Sequence, residues 1–183
     1  ADGVTVAIGE LACTDADEAG RFESEFAYAD AWLTRRDCFA IDPISLPLRA
    51  GRFPAHNFDP PLSVIEDALP DEWGRRIIVR SLALPRAQQS APCLLRELAR
   101  HGLGLGALVF VEHGRKPAAH SPTPAISLAD LFDAADRFES GTLDDEAGLR
   151  HLFAAGSSIG GARPKALLSD ATGHWIAKFP STR

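Results

Sequence analysis

Alternating apolar and polar residues predict β-strands in the first part of the chain. Branched residues alternate with small or polar ones over residues 4–8, and the alternation returns over residues 22–28. Gly20, which follows a short acidic stretch, marks the turn between these two segments. Pro43 and Pro47 frame a further apolar segment, which we predict to be extended at a sheet edge because proline cannot donate to a central ladder. The pattern is typical of a small antiparallel sheet.

The hydrophobic spacing then changes to that of helices. Residues 53–61 form a proline-rich segment that predicts a loop, and beyond it apolar residues recur at steps of three and four from Leu62 to Ile78. Pro70 interrupts this repeat and, with the two acidic residues after it, predicts the start of a new helix. The same spacing predicts three later helices, at residues 90–101, 127–138 and 144–155.

The remaining segments indicate how the chain is organised. Residues 106–111 are typical of a short buried strand, and residues 113–124 are polar and proline-rich, as expected of a linker. We therefore predict two domains, 1–125 and 126–183. Two strands around a tight turn are predicted near the end of the second domain, at residues 166–168 and 174–179. The predicted fold class is α+β, a small antiparallel sheet with helices followed by further helices and two strands.

Composition narrows the classes of protein to which the chain can belong. Its 183 residues are 45% hydrophobic and 24% charged, which is ordinary for a globular protein with a core. A net charge of −6 argues against nucleic acid as the main partner, because phosphate backbones are bound by basic faces. No apolar run approaches the roughly 20 residues that span a bilayer. We expect a cytoplasmic protein with no membrane partner.

The first of two glycine clusters has the spacing of a dinucleotide site but the wrong context. Residues 102–107 satisfy G-x-G-x-x-A. In a dinucleotide site a strand precedes this motif and a helix follows it, so that the helix N-terminus meets the pyrophosphate. Here a predicted helix precedes the motif and a predicted strand follows it. We interpret the cluster as a helix C-terminus with a tight turn, not as a cofactor site.

The second glycine cluster has the chemistry of an anion site. Residues 156–161 contain three glycines and two serines, and glycine permits the dihedral angles that turn several backbone N–H groups toward one anion. Arg163 and Lys165 follow and can add charge-assisted hydrogen bonds to phosphate oxygens. A Walker A loop needs lysine directly after its last glycine, where this chain has Ala162. The cluster is therefore not a P-loop of the NTPase type.

Lys178, on the last predicted strand, completes a kinase-like arrangement. In protein kinases a glycine-rich turn covers the phosphates and a lysine reaches them from a nearby strand. Residues 175–178 read W-I-A-K, similar to the V-A-I-K pattern of that strand. The apolar residues before Lys178 predict a largely buried position, where an ammonium group is costly unless an anion or carboxylate pairs with it. The alternative is an edge-strand lysine in solvent; with the glycine cluster nearby, we favour the phosphate role.

Four segments of the chain match motifs of one known family. Residues 158–166 and 175–181 contain G-G-A-R-P-K-A and W-I-A-K-F-P-S, which resemble motifs of HipA-like kinase toxins. Residues 43–48 resemble the P-x-S-x-x-L segment of the N-terminal subdomain of these proteins, and residues 69–73 resemble its L-P-[DE]-x-W motif. The likeness covers nearly the whole chain in the expected order, and the first two motifs are the more specific ones.

The resemblance implies a serine/threonine protein kinase that acts as the toxin of a type II toxin–antitoxin system. Residues 126–183 would then begin a kinase-like small lobe. The implied cofactors of the complete enzyme are ATP and Mg²⁺. Its implied partners are a HipB-like antitoxin, through which alone it would contact DNA, and a protein substrate such as an aminoacyl-tRNA synthetase.

The resemblance also assigns roles to individual residues. Ser158 corresponds to the serine that is autophosphorylated in the family, which expels the loop and inactivates the kinase. Lys178 corresponds to the lysine that holds the nucleotide phosphates. The predicted phosphate-binding set is Ser158, Ile159, Gly160, Gly161, Ala162, Arg163, Lys165 and Lys178.

The chain departs from the family in length. HipA-like kinases are much longer, and their catalytic and metal-binding aspartates would lie beyond Arg183. We therefore expect an inactive fragment with no catalytic residue, no metal site and no bound nucleotide, because phosphoryl transfer depends on those groups. Two alternatives stay open: a non-catalytic interaction module that binds a kinase lobe or an antitoxin, and a stand-alone nucleotide-binding protein.

Charged residues on the predicted helix after Pro70 have a simpler interpretation. Arg75, Arg76 and Arg80 form a basic face that we interpret as solvated, with contact to phosphate or to a protein partner as the less favoured alternative. Asp71 and Glu72 fit charges at a helix start better than a pair of acid–base catalysts.

Overall fold

The computed structural model describes residues 5–101, 108–115, 127–156, 165–170 and 173–178. Its three-stranded antiparallel sheet and its helices confirm the predicted α+β class. The chain divides into two compact units, which are described separately. The first comprises Ala1–Ala68 with Ser90–Cys93, and the second comprises Leu69–Gln89 with Leu94–Arg183.

The first unit is built on an antiparallel sheet of three strands in the order β1-β2-β3. The strands are β1 (Gly9–Cys13), β2 (Glu23–Tyr28) and β3 (Arg52–His56). The register pairs Gly9 with Tyr28, so the ladder starts later than the predicted strand at residues 4–8. A Cβ atom at Gly9 would lie 2.5 Å from the carbonyl oxygen of Ala27 and 2.5 Å from the ring of Phe26. This close approach explains why glycine begins β1.

Aromatic side chains on one face of β2 form the core of the first unit. Phe22, Phe26 and Tyr28 are buried, as the period-2 pattern predicts. Phe26 and Tyr28 pack edge to face with ring centroids 5.0 Å apart, and Tyr28 packs in the same way against Phe53 of β3 at 6.1 Å. Edge-to-face aromatic contacts within β2 and between β2 and β3 thus form part of the core of this unit, together with buried aliphatic residues such as Leu46 and Leu62.

β3 corrects the prediction of a loop at residues 53–61. Its residues pair with β2, and Phe53 lies opposite Phe26. Proline is tolerated because β3 lies at the edge of the sheet, where one side of the strand needs no donor. The tertiary pairing of Phe53 with β2 outweighs the local preference of Pro54 for a loop.

The segment framed by Pro43 and Pro47 was also predicted wrongly. It is a tight turn rather than an extended edge, closed by an isolated bridge between Asp42 and Leu46. The Leu46 N–H donates to the Asp42 carbonyl at 2.8 Å, and the Ile44 N–H donates to the Asp42 carboxylate at 2.9 Å. An aspartate that accepts from its own backbone two residues later favours a turn over a strand. The same bond lowers the pKa of Asp42 below its usual value.

Helices account for just under half of the remaining described residues. They are α1 (Asp30–Leu33), α2 (Ser63–Asp67), α3 (Glu72–Ser81), α4 (Ala91–His101), α5 (Leu128–Glu139) and α6 (Glu146–Gly156), with one 3-10 turn at Arg86–Gln88. The predicted interruption before α3 and the helices at 90–101, 127–138 and 144–155 are confirmed. Residues 108–111, predicted to be part of a strand, lie in none of these elements. None of the helices in the described ranges is long and apolar enough to cross a lipid bilayer.

Local capping explains where two of these helices begin. The carboxylate of Asp71 accepts the Gly74 N–H at 2.8 Å and caps α3. The hydroxyl of Ser127 accepts the Asp130 N–H at 3.0 Å and caps α5. Both bonds satisfy N–H groups that have no partner within the helix, and both were available from sequence.

The second unit has its core between α3, α5 and α6. Buried residues of α3 pack with buried residues of the other two helices, and the rings of Trp73 and Phe138 meet edge to face at 6.2 Å. The core cluster comprises Trp73, Ile77, Leu131, Ala134, Ala135, Phe138, Leu143 and Leu152. α3 thus lies in one unit with helices that the sequence assigns to the second domain. The predicted boundary at residues 125 and 126 falls where the structure gives no description, and it stays a prediction.

Candidate functional site

A β-hairpin in the second unit carries the lysines of the predicted phosphate site. Its strands are β4 (Lys165–Asp170) and β5 (Gly173–Lys178), and they pair antiparallel. Asp170 lies opposite Gly173 next to the turn, and Gly173 has φ +155°, a conformation that favours glycine. The pairing of β4 with β5 confirms the two strands predicted from sequence.

The register of this hairpin brings two predicted site residues together. Lys165 lies directly opposite Lys178 at the open end of the ladder. Residues directly opposite in an antiparallel pair are neighbours on one face, and like charges there destabilise the pairing. An anion bound at this end would relieve that repulsion and accept charge-assisted hydrogen bonds. The register thus places two residues of the predicted phosphate-binding set opposite each other on neighbouring strands.

The exposure of Lys178 differs from the sequence prediction. The residue is exposed rather than buried, and Trp175 and Ile176 before it are 54% and 60% exposed. Ala177 is partly buried and packs on the core cluster of the second unit. Because successive residues of a strand face opposite sides, Lys178 lies on the face opposite Ala177. An apolar run in sequence predicted burial, but only one face of this two-stranded ribbon packs on the helices.

The structure does not test the other six residues of the predicted set. Ser158, Ile159, Gly160, Gly161, Ala162 and Arg163 lie outside the described residues. Lys165 follows that segment in the chain after Pro164, so the glycine cluster is joined to the end of the hairpin at which Lys178 stands. Among the described residues no group of three or more His, Cys, Asp or Glu is arranged to hold a metal ion.

Sequence reasoning missed a groove in the second unit. Its volume is about 520 Å³, and it lies along α3. Three arginines line it, together with three apolar residues: Arg75, Arg76, Arg80, Val79, Leu94 and Phe138. None of its lining residues belongs to β4 or β5. The repeated arginines on one helix face were a visible signal, but the opposing side chains that turn this face into a groove are distant in sequence.

Comparison with known proteins identifies the family. The family model of the HipA N-terminal domain matches residues 5–111, which is more than half of the 183 residues. This chain belongs to the HipA family. No curated protein sequence matches it. The HipA match includes β1 to β3 and α1 to α4, whereas the hairpin of β4 and β5 lies beyond its end.

The match covers two of the four segments whose motifs first indicated the family. The HipA-like segments at residues 43–48 and 69–73 lie within the matched range, and the likeness to HipA is confirmed. The segments at 158–166 and 175–181 lie beyond it. Family membership is thus established for the N-terminal domain, while a phosphate-binding role of the hairpin is a proposal.

Proposed function

We propose that the chain is the N-terminal part of a HipA-like serine/threonine protein kinase, the toxin of a type II toxin–antitoxin system. The observation that carries this proposal is the register of the hairpin. In a chain of the HipA family, Lys165 and Lys178 stand opposite each other at the end of the ladder that joins the glycine cluster. Two like charges at this place are accounted for by a polyphosphate ligand.

Residues of the predicted phosphate-binding set would contact ATP in two ways. Backbone N–H groups of the segment from Ser158 to Arg163 would cover the phosphates, since glycine lets an anion approach the backbone. Lys165 and Lys178 would add compact charges with several donors each. ATP supplies the phosphoryl group when bound. The strand ladder fixes the backbone at Lys178, and the exposure of this residue leaves it accessible to a ligand.

Regulation and partners follow from the same family likeness. Phosphate on Ser158 would repel the phosphates of ATP and compete for the cationic groups around the loop, which would turn the kinase off. The proposed partners are a HipB-like antitoxin and a protein substrate of the translation apparatus, such as an aminoacyl-tRNA synthetase. The proposed compartment is the cytoplasm, and the Mg²⁺ ligands and catalytic base would come from residues beyond Arg183.

Substitution of Lys178 in the complete kinase tests the proposal. Autophosphorylation at Ser158, followed by tandem mass spectrometry, gives a readout that needs no knowledge of the substrate. We expect Lys178→Ala to lower the rate by at least about 100-fold, the usual effect of removing one group that stabilises charge during transfer. Its melting temperature should not fall, because the residue is exposed and its removal relieves the like-charge pair with Lys165. Lys116→Ala, which removes the same charge from the predicted linker, is the matched control.

Two results would contradict this proposal. Phosphorylation by Lys178→Ala at the rate of the Lys116→Ala control would remove the proposed role of Lys178. Titration calorimetry of the 183-residue chain with ATP tests the second alternative. We expect weak or no binding, because much of the nucleotide site would lie beyond Arg183, and micromolar affinity would favour a stand-alone nucleotide-binding protein.

Exposed apolar residues on β5 favour one other candidate, a non-catalytic interaction module. Trp175 and Ile176 present large apolar side chains to solvent on a short hairpin, which suits contact with a kinase lobe or an antitoxin. The reading frame distinguishes the two functions. Continuation past Arg183 into a lobe with the catalytic aspartates supports the kinase, and a stop codon there supports the interaction module.

A further inference from the structure

A small side chain anchors β5 on the core of the second unit. Ala177 is partly buried and packs on the core cluster, whereas Trp175, Ile176 and Lys178 are exposed. The cluster is formed by side chains of α3, α5 and α6 together with Leu143. Ala177 therefore links the exposed strand to three packed helices.

This anchor is directly next to the lysine of the proposed phosphate site. Lys178 follows Ala177 in β5, and consecutive Cα atoms lie about 3.8 Å apart across a trans peptide. Successive side chains of a strand point to opposite faces, so Lys178 projects away from the core. The backbone of Lys178 cannot shift outward by much unless Ala177 moves with it. The depth at which Ala177 sits on the cluster thus determines how far the ammonium group reaches.

The size of the side chain at position 177 sets this depth. Protein cores are close-packed, so additional atoms at Ala177 have to displace either the cluster or β5. The cluster resists displacement, because Leu131, Leu143 and Leu152 within it are fully buried. A ribbon of two strands is marginally stable by itself and yields more easily. A larger side chain at position 177 would therefore lift β5 away from the helices.

We propose that Ala177 is a positioning residue for Lys178. Its small side chain seats β5 on the helical core and so places the ammonium group of Lys178 where it meets the phosphates of the nucleotide. The inference rests on the proposed kinase function, in which Lys178 contacts ATP. Ala177 itself would touch neither nucleotide nor substrate, because it lies on the opposite face of the strand.

Ala177→Val in the complete kinase tests the inference. Valine adds two carbon atoms and favours the β-strand conformation. Autophosphorylation at Ser158, followed by tandem mass spectrometry, should slow about 100-fold, the effect that a displacement of about 1 Å can have on a catalysed step. Ala177→Ser adds one atom and should slow it less, by roughly tenfold. Ala12→Val, the same change at an exposed position of β1, is the matched control and should alter the rate less than about twofold.

A double-mutant cycle separates positioning from a loss of structure. In the Lys178→Ala background, Ala177→Val should change the remaining rate less than about threefold, because the group that it displaces is already absent. A loss of folding would instead lower the rate in both backgrounds, and the melting temperature of each variant reports it. If valine lowers the melting temperature by more than about 5 °C, the cycle is measured with Ala177→Ser.

Two results would overturn the inference and leave the role of Lys178 intact. One is a rate for both Ala177 variants equal to that of Ala12→Val. The other is an equal fold-loss from Ala177→Val with and without Lys178, which would mean that the two residues act independently. Failure of the proposed function is recognised separately: Lys178→Ala would then keep the rate of the Lys116→Ala control, and the inference would fall with it.

Discussion

Among the described residues, an antiparallel sheet of three strands and an antiparallel hairpin have strands of similar length but differ in what covers them. In the sheet of β1 to β3, the alternation of β2 directs Phe26 and Tyr28 into an aromatic core. In the hairpin of β4 and β5, Trp175 and Ile176 are more than half exposed. An isolated two-stranded hairpin is at most marginally stable in water. The aromatic side chains of β2 are thus covered within the first unit, whereas β5 presents exposed apolar side chains that a further contact could cover.

Cross-strand charges distinguish the same two regions. In the sheet, Arg52 forms an ion pair with Glu25 across the strands, and His56 Nδ1 lies 2.7 Å from Glu23 Oε1. In the hairpin, the terminal pair is Lys165 and Lys178, which carry like charge. Opposite charges across strands stabilise a sheet, and like charges destabilise it. Charges in the sheet are paired across its strands, whereas the terminal pair of the hairpin carries like charge, which under our proposal a bound anion balances.

The largest expected difference between the sheet and the hairpin is in how much their aromatic side chains contribute to the free energy of unfolding. Phe26→Ala should lower the free energy of unfolding by about 3–5 kcal/mol, because it opens a cavity in the core of the first unit. Trp175→Ala should lower it by less than about 1 kcal/mol, because that ring is half in solvent already. Urea denaturation followed by circular dichroism measures both values. Similar losses for the two variants would show that the hairpin is as well covered as the sheet.

Removal of the hydroxyl group of Tyr28 should have a smaller effect on the free energy of unfolding. This group donates to the Leu46 carbonyl at 2.8 Å and accepts the Ile41 N–H at 2.9 Å. The two bonds hold the turn between Asp42 and Leu46 against β2. Tyr28→Phe leaves both backbone groups without that partner and should cost about 1–3 kcal/mol in the free energy of unfolding. Phe58→Leu, another change in a buried ring of the same unit, controls for packing. An unchanged stability of Tyr28→Phe would mean that the turn is held by other contacts.

Tyr28 also predicts how stability depends on alkaline pH. Burial raises the pKa of Tyr28 above its ordinary value of 10.0. The unfolded chain therefore ionises first, and the stabilisation, fully present below pH 10.0, is lost as the pH rises through the pKa of the folded state. Tyr28→Phe should lack this part of the decline. Tyr28 is the single tyrosine of the chain, so the absorbance of tyrosinate reports its ionisation directly.

The smallest effect on stability is expected from reversing the charge at the end of the hairpin. Lys178→Glu converts the like-charge pair with Lys165 into an opposite pair, which should stabilise the 183-residue chain by about 0.2–1 kcal/mol. Arg52→Glu makes the reverse change in the sheet and should destabilise it by a similar amount. The shift in melting temperature at low and high salt measures both effects. Destabilisation by Lys178→Glu would indicate that the ammonium group has an acidic partner already.

Local signals explain which elements were predictable. The helices α3, α5 and α6 were predicted because periodicity and caps act within a few residues, as at Asp71 and Ser127. β3 was missed because its pairing depends on β2, which precedes it by more than 20 residues, and its own proline favours a loop. The turn at Asp42 was misread because its hydrogen bonds depend on one rotamer of the aspartate, which no periodicity reveals.

The chemistry of the candidate sites could be inferred from residue types alone: the glycine cluster, the basic residues beside it, the arginines of α3 and the likeness to HipA. These depend only on residue types and spacing, which folding does not change. The exposure of Lys178, its register opposite Lys165 and the groove beside the arginines became visible only in the folded chain. Exposure and enclosure depend on which distant segments pack together, and that packing is a property of the whole folded chain.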